Sequence, residues 1–155
     1  MRIWRIARNV YDPLDGEGAR REGGRWNPVG TPVVYASAHL SLAVLEQLVH
    51  VDLEDLPDGL AAFEIDVPED LLIETVEASD LPSGWNDVTT HPACQEIGRR
   101  WTEGQSSPVL RVPLAVVPRE ANYLVNPEHP EAERIRVAGE APFRFDERLP
   151  GRREE

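Results

Sequence analysis

The alternation of hydrophobic and polar residues predicts strands in the first half of the chain. Residues 2–8 alternate loosely and predict an opening strand, and residues 32–37 form a short β-branched run. Residues 60–67 alternate like a half-buried strand after the turn signal Pro57-Asp58-Gly59. Between the first two strands, residues 12–30 are rich in Gly, Asp, Arg and Pro and predict a long loop.

Two segments have helical periodicity. Residues 41–50 carry an apolar stripe formed by Leu42, Leu45, Leu48 and Val49. Ser37 or Ser41 is positioned to cap this helix. Residues 93–103 predict a second helix, with Ile97 and Trp101 four residues apart, and residues 79–90 before it are irregular.

The remaining segments predict more strands. Residues 108–117 are apolar enough for a central strand, although Pro113 indicates an edge or a bulge. Residues 121–125 predict a strand that ends in a turn, and residues 134–145 a last strand or hairpin. Strands with two or three helices indicate an α+β fold with a mixed or antiparallel sheet. We expect one domain over residues 1–149 and a frayed tail over 150–155.

Composition excludes several classes of protein. The formal charge of −12 repels phosphate backbones, so direct nucleic-acid binding is disfavoured. All 16 basic residues are arginine, which removes mechanisms that need a P-loop lysine or a Schiff base. A single cysteine and four scattered histidines predict no disulfide and no metal site. Without a signal peptide or a membrane-spanning run, we expect a cytoplasmic protein.

Three chemically different side chains lie close together in the sequence. Arg25 follows paired glycines in a loop, where a guanidinium suits a pyrophosphate. Tyr35, in the short strand, can stack on a planar ligand, and Glu46 lies at the edge of the apolar stripe. Each has an ordinary alternative: Arg25 stacked on Trp26, Tyr35 as a core aromatic, and Glu46 paired with His50.

Two serines precede the apolar strand at residues 108–117. The hydroxyl of Ser106 or Ser107 can hydrogen-bond a ribose. The ordinary alternative is a turn at the start of a strand.

Taken together, these segments resemble the RES domain family, toxins of bacterial toxin–antitoxin pairs. The resemblance rests on WRIA at residues 4–7, GGRWNPVGTPVVYAS at 23–37, LAVLEQLVH at 42–50, SPVLRVPLAVVP at 107–118 and NYLVNPEHP at 122–130. It covers roughly residues 3–145. The chain departs from the family in having Leu114 where many members carry a serine after the VP of that strand.

The resemblance implies a fold and an activity. The fold would be similar to NAD-dependent ADP-ribosyltransferases of the diphtheria-toxin type, and the enzyme would cleave the nicotinamide–ribose bond of NAD. The acceptor in the family is water, phosphate or a protein side chain. By motif position, Arg25, Tyr35 and Glu46 match the catalytic residues, while Arg5 and a serine at Ser106 or Ser107 match the NAD pocket.

The resemblance also implies a partner. Toxins of this family are neutralised by an Xre-like helix-turn-helix antitoxin, in assemblies that are commonly multimeric. The resemblance also implies that NAD is the substrate and that no metal ion is needed. Contact with DNA would come through the antitoxin. Two alternatives remain open at this point: a ribonuclease toxin, which the acidic charge and missing lysine oppose, and a catalytically silent interaction domain.

Overall fold

One seven-stranded sheet organises the chain. The computed structural model describes residues 1–51 and 57–149. The strands run β4-β5-β6-β2-β1-β3-β7 across the sheet, and among the described residues only β4 and β5 pair in parallel. The strands are β1 Arg2–Arg8, β2 Val34–Ser37, β3 Leu60–Asp66, β4 Ile73–Thr75, β5 Val109–Pro113, β6 Ala121–Val125 and β7 Arg136–Phe143. The predicted α+β class with a mixed sheet is confirmed.

Three α-helices occur in the described part of the chain. They are α1 Glu17–Glu22, α2 Leu40–His50 and α3 Pro92–Gly104, with short 3₁₀ turns at Ala78–Asp80 and Ala132–Arg134. None of the described helices is long and apolar enough to cross a bilayer. The predicted frayed tail at 150–155 lies outside the described residues.

Both longer helices cover the same face of the sheet. Side chains directly opposite in antiparallel pairs share a face, so β2 Ser37 faces the same way as β1 Trp4 and β6 Asn122. Helix α2 packs on this face over β1 and β3, and α3 packs on it over β5 and β6. The other face carries a separate core, formed by Ile3, Val34, Ala36, Ala61, Phe63, Ile65, Val67, Leu71, Val109, Val125 and Ile135.

Strands β1 and β2 diverge soon after they meet. They share one register pair, Trp4 with Ser37, whereas β1 pairs with β3 along its whole length. Backbone groups exposed by a split must find other partners. Here the Arg5 Nη1 atom donates to the Tyr35 carbonyl at 2.9 Å, and Gln47 Nε2 of α2 donates to the Ile6 carbonyl at 3.0 Å. Where β1 and β2 separate, the Arg5 and Gln47 side chains therefore take the place of backbone hydrogen bonds between the strands.

The prediction of a continuous loop over residues 12–30 was wrong. Helix α1 lies within it and has no buried residue, so its sequence carries no apolar stripe to reveal it. It follows Gly16, whose φ of 70° is left-handed and whose missing Cβ would approach the Val33 nitrogen to 2.9 Å. A six-residue polar helix of this kind is set by its turn and by its surroundings.

The predicted serine cap of α2 was also wrong. The N-cap is His39, which makes no side-chain cap bond. Ser37 is buried in β2 and donates its hydroxyl to Asn122 Oδ1 at 2.8 Å, whereas Ser41 is exposed inside the helix. The Ser37 hydroxyl therefore bonds to the neighbouring strand β6 and not to the N-terminus of α2.

Two strand predictions need correction. Strand β5 lies between β4 and β6, so it is not an edge strand. Pro113 is tolerated because it closes β5, beyond the three residues that β4 pairs. The first four residues of β3 are all buried, rather than alternating, because β3 has a hydrophobic cluster on each face.

Candidate active site

Arg25 projects from a tight turn. Gly24 and Asn27 form an isolated bridge, with the Gly24 N–H donating to the Asn27 carbonyl at 2.9 Å and the Asn27 N–H returning to the Gly24 carbonyl at 3.4 Å. From α3, Gln95 Nε2 donates to the same two carbonyls, at 3.0 Å and 3.3 Å. The turn is therefore fixed both internally and from the neighbouring helix.

The Tyr35 hydroxyl holds the turn from the sheet side. It donates to Asn27 Oδ1 at 2.6 Å and accepts from the Trp26 N–H at 3.0 Å. A Cβ on Gly24 would lie 2.7 Å from this hydroxyl oxygen, so the second glycine of the pair is required for the approach. The core-aromatic interpretation of Tyr35 is half right: the ring packs against the core under α3, while the hydroxyl bonds the turn.

Asn27 is the central polar group of the turn. Its side chain is fully buried, and Nδ2 donates to the carbonyls of Ala19 at 2.8 Å, Thr31 at 3.0 Å and Pro28 at 3.3 Å. Its oxygen accepts from Tyr35. Sequence reasoning assigned no role to Asn27 or Gln95, and a buried asparagine inside a Gly- and Pro-rich loop was the available signal.

Trp26 anchors the turn in the core. It is 2% exposed and packs on Trp85, with ring centroids 6.4 Å apart. Its carbonyl lies against Gly98 of α3, where an added Cβ would come within 1.5 Å of the oxygen. Arg25 does not stack on Trp26 among the described contacts. Its Nη1 donates to the Trp85 carbonyl at 2.7 Å, and its Nη2 to the Asp87 carbonyl at 2.8 Å.

Glu46 lies on α2 with a quarter of its side chain exposed, 26%. Its Oε2 is 3.7 Å from His50 Nε2 one turn later, so the surface pair considered as the ordinary alternative is present. The Glu46 carboxylate raises the pKa of His50, while burial and the Arg25 charge lower it.

Opposite charges act on the Tyr35 hydroxyl. Burial is the main reason why the pKa of Tyr35 is raised well above its ordinary value. The Trp26 N–H and the Arg25 guanidinium lower this pKa, and the Glu46 carboxylate raises it. The structure therefore joins Tyr35 to the turn that carries Arg25, and the Glu46 charge acts on the same hydroxyl. Their roles in catalysis stay predictions.

Arg5 reaches this region from another direction. Because Trp4 faces α2, the Cβ of Arg5 points to the opposite face, and its guanidinium ends on the Tyr35 main chain. Its Nε is buried without a hydrogen-bond partner. Burial lowers the pKa of Arg5, and Asp15 partly offsets this. Arg5 is joined to the Tyr35 backbone rather than to Arg25, so a contact with NAD stays a prediction.

The two serines are not joined to this group. Ser107 is fully buried; its hydroxyl donates to the Val109 carbonyl at 2.9 Å and accepts from Trp101 Nε1 at 3.0 Å. Ser106 is exposed on the turn before β5. The geometry matches the ordinary alternative for Ser107, and NAD binding by either serine stays a prediction.

Two further searches of the described residues bear on ligand binding. No group of three or more His, Cys, Asp or Glu side chains is arranged to hold a metal ion. A cavity of about 410 Å³ lies at the end of β6, away from the Arg25 turn, and is lined by Leu14, Val125, Pro127, His129, Pro130, Ala132, Glu133 and Ile135. None of the predicted site residues lines it.

Comparison with known proteins gives the chain its family. The RES domain model matches residues 2–146. The Prs ADP-ribosylating toxin of Sphingobium sp. (strain YBL2) is 37% identical over 153 residues, covering 95% of each chain. Toxin Res of Photorhabdus laumondii is 38% identical and covers 96% of this chain and 97% of its own; Toxin Res of Pseudomonas putida is 37% identical, with 96% and 99% covered.

A solved structure shows the same fold. A chain of the M. tuberculosis MbcT–MbcA toxin–antitoxin complex superposes with a TM-score of 0.72 at 18% identity, covering 92% of this chain and 83% of that one. This likeness confirms the predicted fold class. With the family model matching from residue 2 to residue 146, the chain belongs to the RES domain family, the family of the Res toxins.

Proposed function

We propose that this chain is the toxin of a toxin–antitoxin pair and that it acts by cleaving the nicotinamide–ribose bond of NAD. The observation that carries the proposal is the Arg25 turn held by the Tyr35 hydroxyl, in a chain of the RES family. The name of the Sphingobium relative, an ADP-ribosylating toxin, supports chemistry at the ribose of NAD.

The three side chains suit this reaction. Nicotinamide leaves as a neutral molecule, and the ribose develops oxocarbenium character as in glycoside cleavage. Glu46, only partly exposed, stabilises that positive charge and orients the ribose or the acceptor. Arg25 binds the diphosphate by exchanging its two carbonyl partners for phosphate oxygens, which a guanidinium binds more strongly. The Tyr35 ring provides a stacking surface.

Substitution of Glu46 by glutamine tests the proposal. Loss of one well-placed electrostatic group costs on the order of 10²–10³ in rate. Glu46→Gln should therefore release nicotinamide at least about 100-fold more slowly while unfolding at the wild-type temperature. Glu103→Gln on the exposed side of α3 is the matched control and should retain the wild-type rate. Equal rates for wild type and Glu46→Gln would refute the role of Glu46.

The reaction product identifies the acceptor of the ADP-ribosyl group. Mass spectrometry after incubation with NAD, with and without phosphate, separates ADP-ribose from a phosphorylated ADP-ribose, and a protein acceptor gains the mass of one ADP-ribosyl group. The Sphingobium name supports transfer to a protein for this chain as well. Cleavage of RNA with NAD left intact would instead favour the ribonuclease alternative.

An antitoxin partner follows from the same proposal. The solved complex with this fold contains a toxin and an antitoxin. We expect an Xre-like helix-turn-helix protein to bind this chain, in a multimeric complex, and to supply any contact with DNA. Co-expression with the neighbouring open reading frame should give a complex without NAD cleavage. Full NAD cleavage by that complex would contradict this expectation.

A further inference from the structure

The helix-bearing face of the sheet has two separate hydrophobic clusters. Under α3 lie Leu110 and Leu124, with Trp101 of the helix itself. Under α2 lie Ile6 and Ala62. Strand β2 lies between β6 and β1; its Tyr35 packs with the cluster under α3, and Ser37 follows on the same face.

Two polar side chains lie on this face in the neighbouring strands β2 and β6. Ser37 of β2 and Asn122 of β6 are directly opposite each other and are 3% and 7% exposed. The Ser37 hydroxyl donates to Asn122 Oδ1 at 2.8 Å. On the same strand and the same face, Tyr35 precedes Ser37 by two residues. The pair is therefore the next row of the sheet after Tyr35.

The Asn122 amide nitrogen has no partner among the described residues. The Arg5 Nε is the one fully enclosed side-chain polar atom without a hydrogen bond in that part of the chain. The Asn122 nitrogen is accordingly not enclosed, although the residue is 93% covered. Because Ser37 holds the oxygen, the two N–H donors point away from Ser37 toward accessible space.

The neighbours of this pair in the same row are hydrophobic. Val112 of β5 is opposite Asn122, and Trp4 of β1 is opposite Ser37. The Asn122 amide nitrogen therefore finds no polar side chain directly opposite it on β5.

From this juxtaposition we propose that Asn122 binds the substrate and that Ser37 orients the Asn122 amide. The Asn122 amide donates to an acceptor oxygen in the nicotinamide–ribose half of NAD, while Ser37 fixes which end of the amide faces the substrate. This inference rests on the proposed NAD-cleaving function. The competing interpretation is a polar pair that only fixes the register of β2 against β6, a role that requires no accessible donor.

Neutral and charged substitutions of Asn122 separate these interpretations. A lost donor that leaves a substrate oxygen unpaired changes affinity roughly 5- to 150-fold. Asn122→Ala and Asn122→Asp should both raise the KM for NAD by that factor, with kcat within about threefold of wild type. Ser37→Ala should raise KM less, and Ser37→Thr should restore it because the hydroxyl is retained.

The outcomes are distinguishable. Wild-type protein that leaves NAD intact would overturn the proposed function and this inference together. Wild-type cleavage with an unchanged KM in Asn122→Ala would overturn the inference alone. A KM increase confined to Asn122→Asp would show repulsion by a carboxylate, not loss of a donor, and would also overturn it. Lower thermal stability with unchanged KM in Ser37→Ala and Asn122→Ala would establish the register role instead.

Discussion

Removal of the Tyr35 hydroxyl is the sharpest test of how the Arg25 turn is held. In Tyr35→Phe the ring remains, but Asn27 Oδ1 loses its donor and the Trp26 N–H loses its acceptor. Both residues are nearly or fully buried, so water does not readily replace the lost partner.

The magnitude follows from those two groups. A buried donor or acceptor left without a partner costs about 1–3 kcal/mol, so the two together cost about 2–6 kcal/mol before relaxation. Against a typical total stability of roughly 5–15 kcal/mol, this is a large fraction. A loss of about 2 kcal/mol lowers the unfolding midpoint of a domain of this size by roughly 4–8 °C.

Urea unfolding of wild type and variant measures the loss. The matched control is Tyr123→Phe on β6, a partly buried tyrosine whose hydroxyl makes no hydrogen bond among the described residues. We expect the control to change the free energy of unfolding by less than about 0.5 kcal/mol. Equal free energies for Tyr35→Phe and wild type would refute the reasoning.

Activity adds a second measurement on the same variant. Because the phenyl ring is retained, stacking by residue 35 survives, and a fall in nicotinamide release must come from the hydroxyl. If stability is unchanged while NAD cleavage is lost, the hydroxyl acts in the reaction and not as a support for the turn.

Two other substitutions test the packing and the charges of the site. Gly98→Ala would place a Cβ 1.5 Å from the Trp26 carbonyl and should destabilise the protein by about 3 kcal/mol or more in urea unfolding, whereas Gly104→Ala on the same helix has no neighbour within 4 Å and should not. Comparable stability of the two variants would contradict this packing. In Glu46→Gln the pKa of His50, followed by NMR, should fall because the partner of its ion pair is no longer charged. Since folding raises the His50 pKa, the ion pair makes a small contribution to stability at acidic pH, which is lost as pH rises through the folded-state pKa. An unchanged His50 titration in Glu46→Gln would show that the Glu46–His50 pair does not form in solution.

The sequence predicted the parts of the fold that have a periodic signal. The β1 strand, the α2 stripe and α3 repeat hydrophobic residues at strand or helix spacing, and each formed close to its predicted position. Helix α1 has no such repeat, and Ser37 donates its hydroxyl to Asn122, which is 85 residues away. Neither can be found from local pattern, because each is decided by contacts with distant segments.

The local part of the candidate site was visible in the sequence. Arg25 and Tyr35 lie within one stretch, and the Tyr35 hydroxyl bonds the turn that carries Arg25, whereas the catalytic roles of both residues and of Glu46 stay predictions. Their supports come from elsewhere: Gln95 from α3 and Trp85 from the irregular segment before it. These residues carry ordinary polar and aromatic side chains with no motif around them. They become visible only when the sheet and α3 are in place.

That dispersal has a consequence for a chain still being synthesised. A ribosome that has translated as far as β4 has already made Arg25, Tyr35 and Glu46, but the segment that receives the Arg25 guanidinium and the helix that clamps its turn have not yet emerged. The Arg25 turn of the nascent polypeptide therefore lacks its support from Gln95 until α3 has been made. Under the proposed function, NAD cleavage begins only after α3 has docked on the sheet.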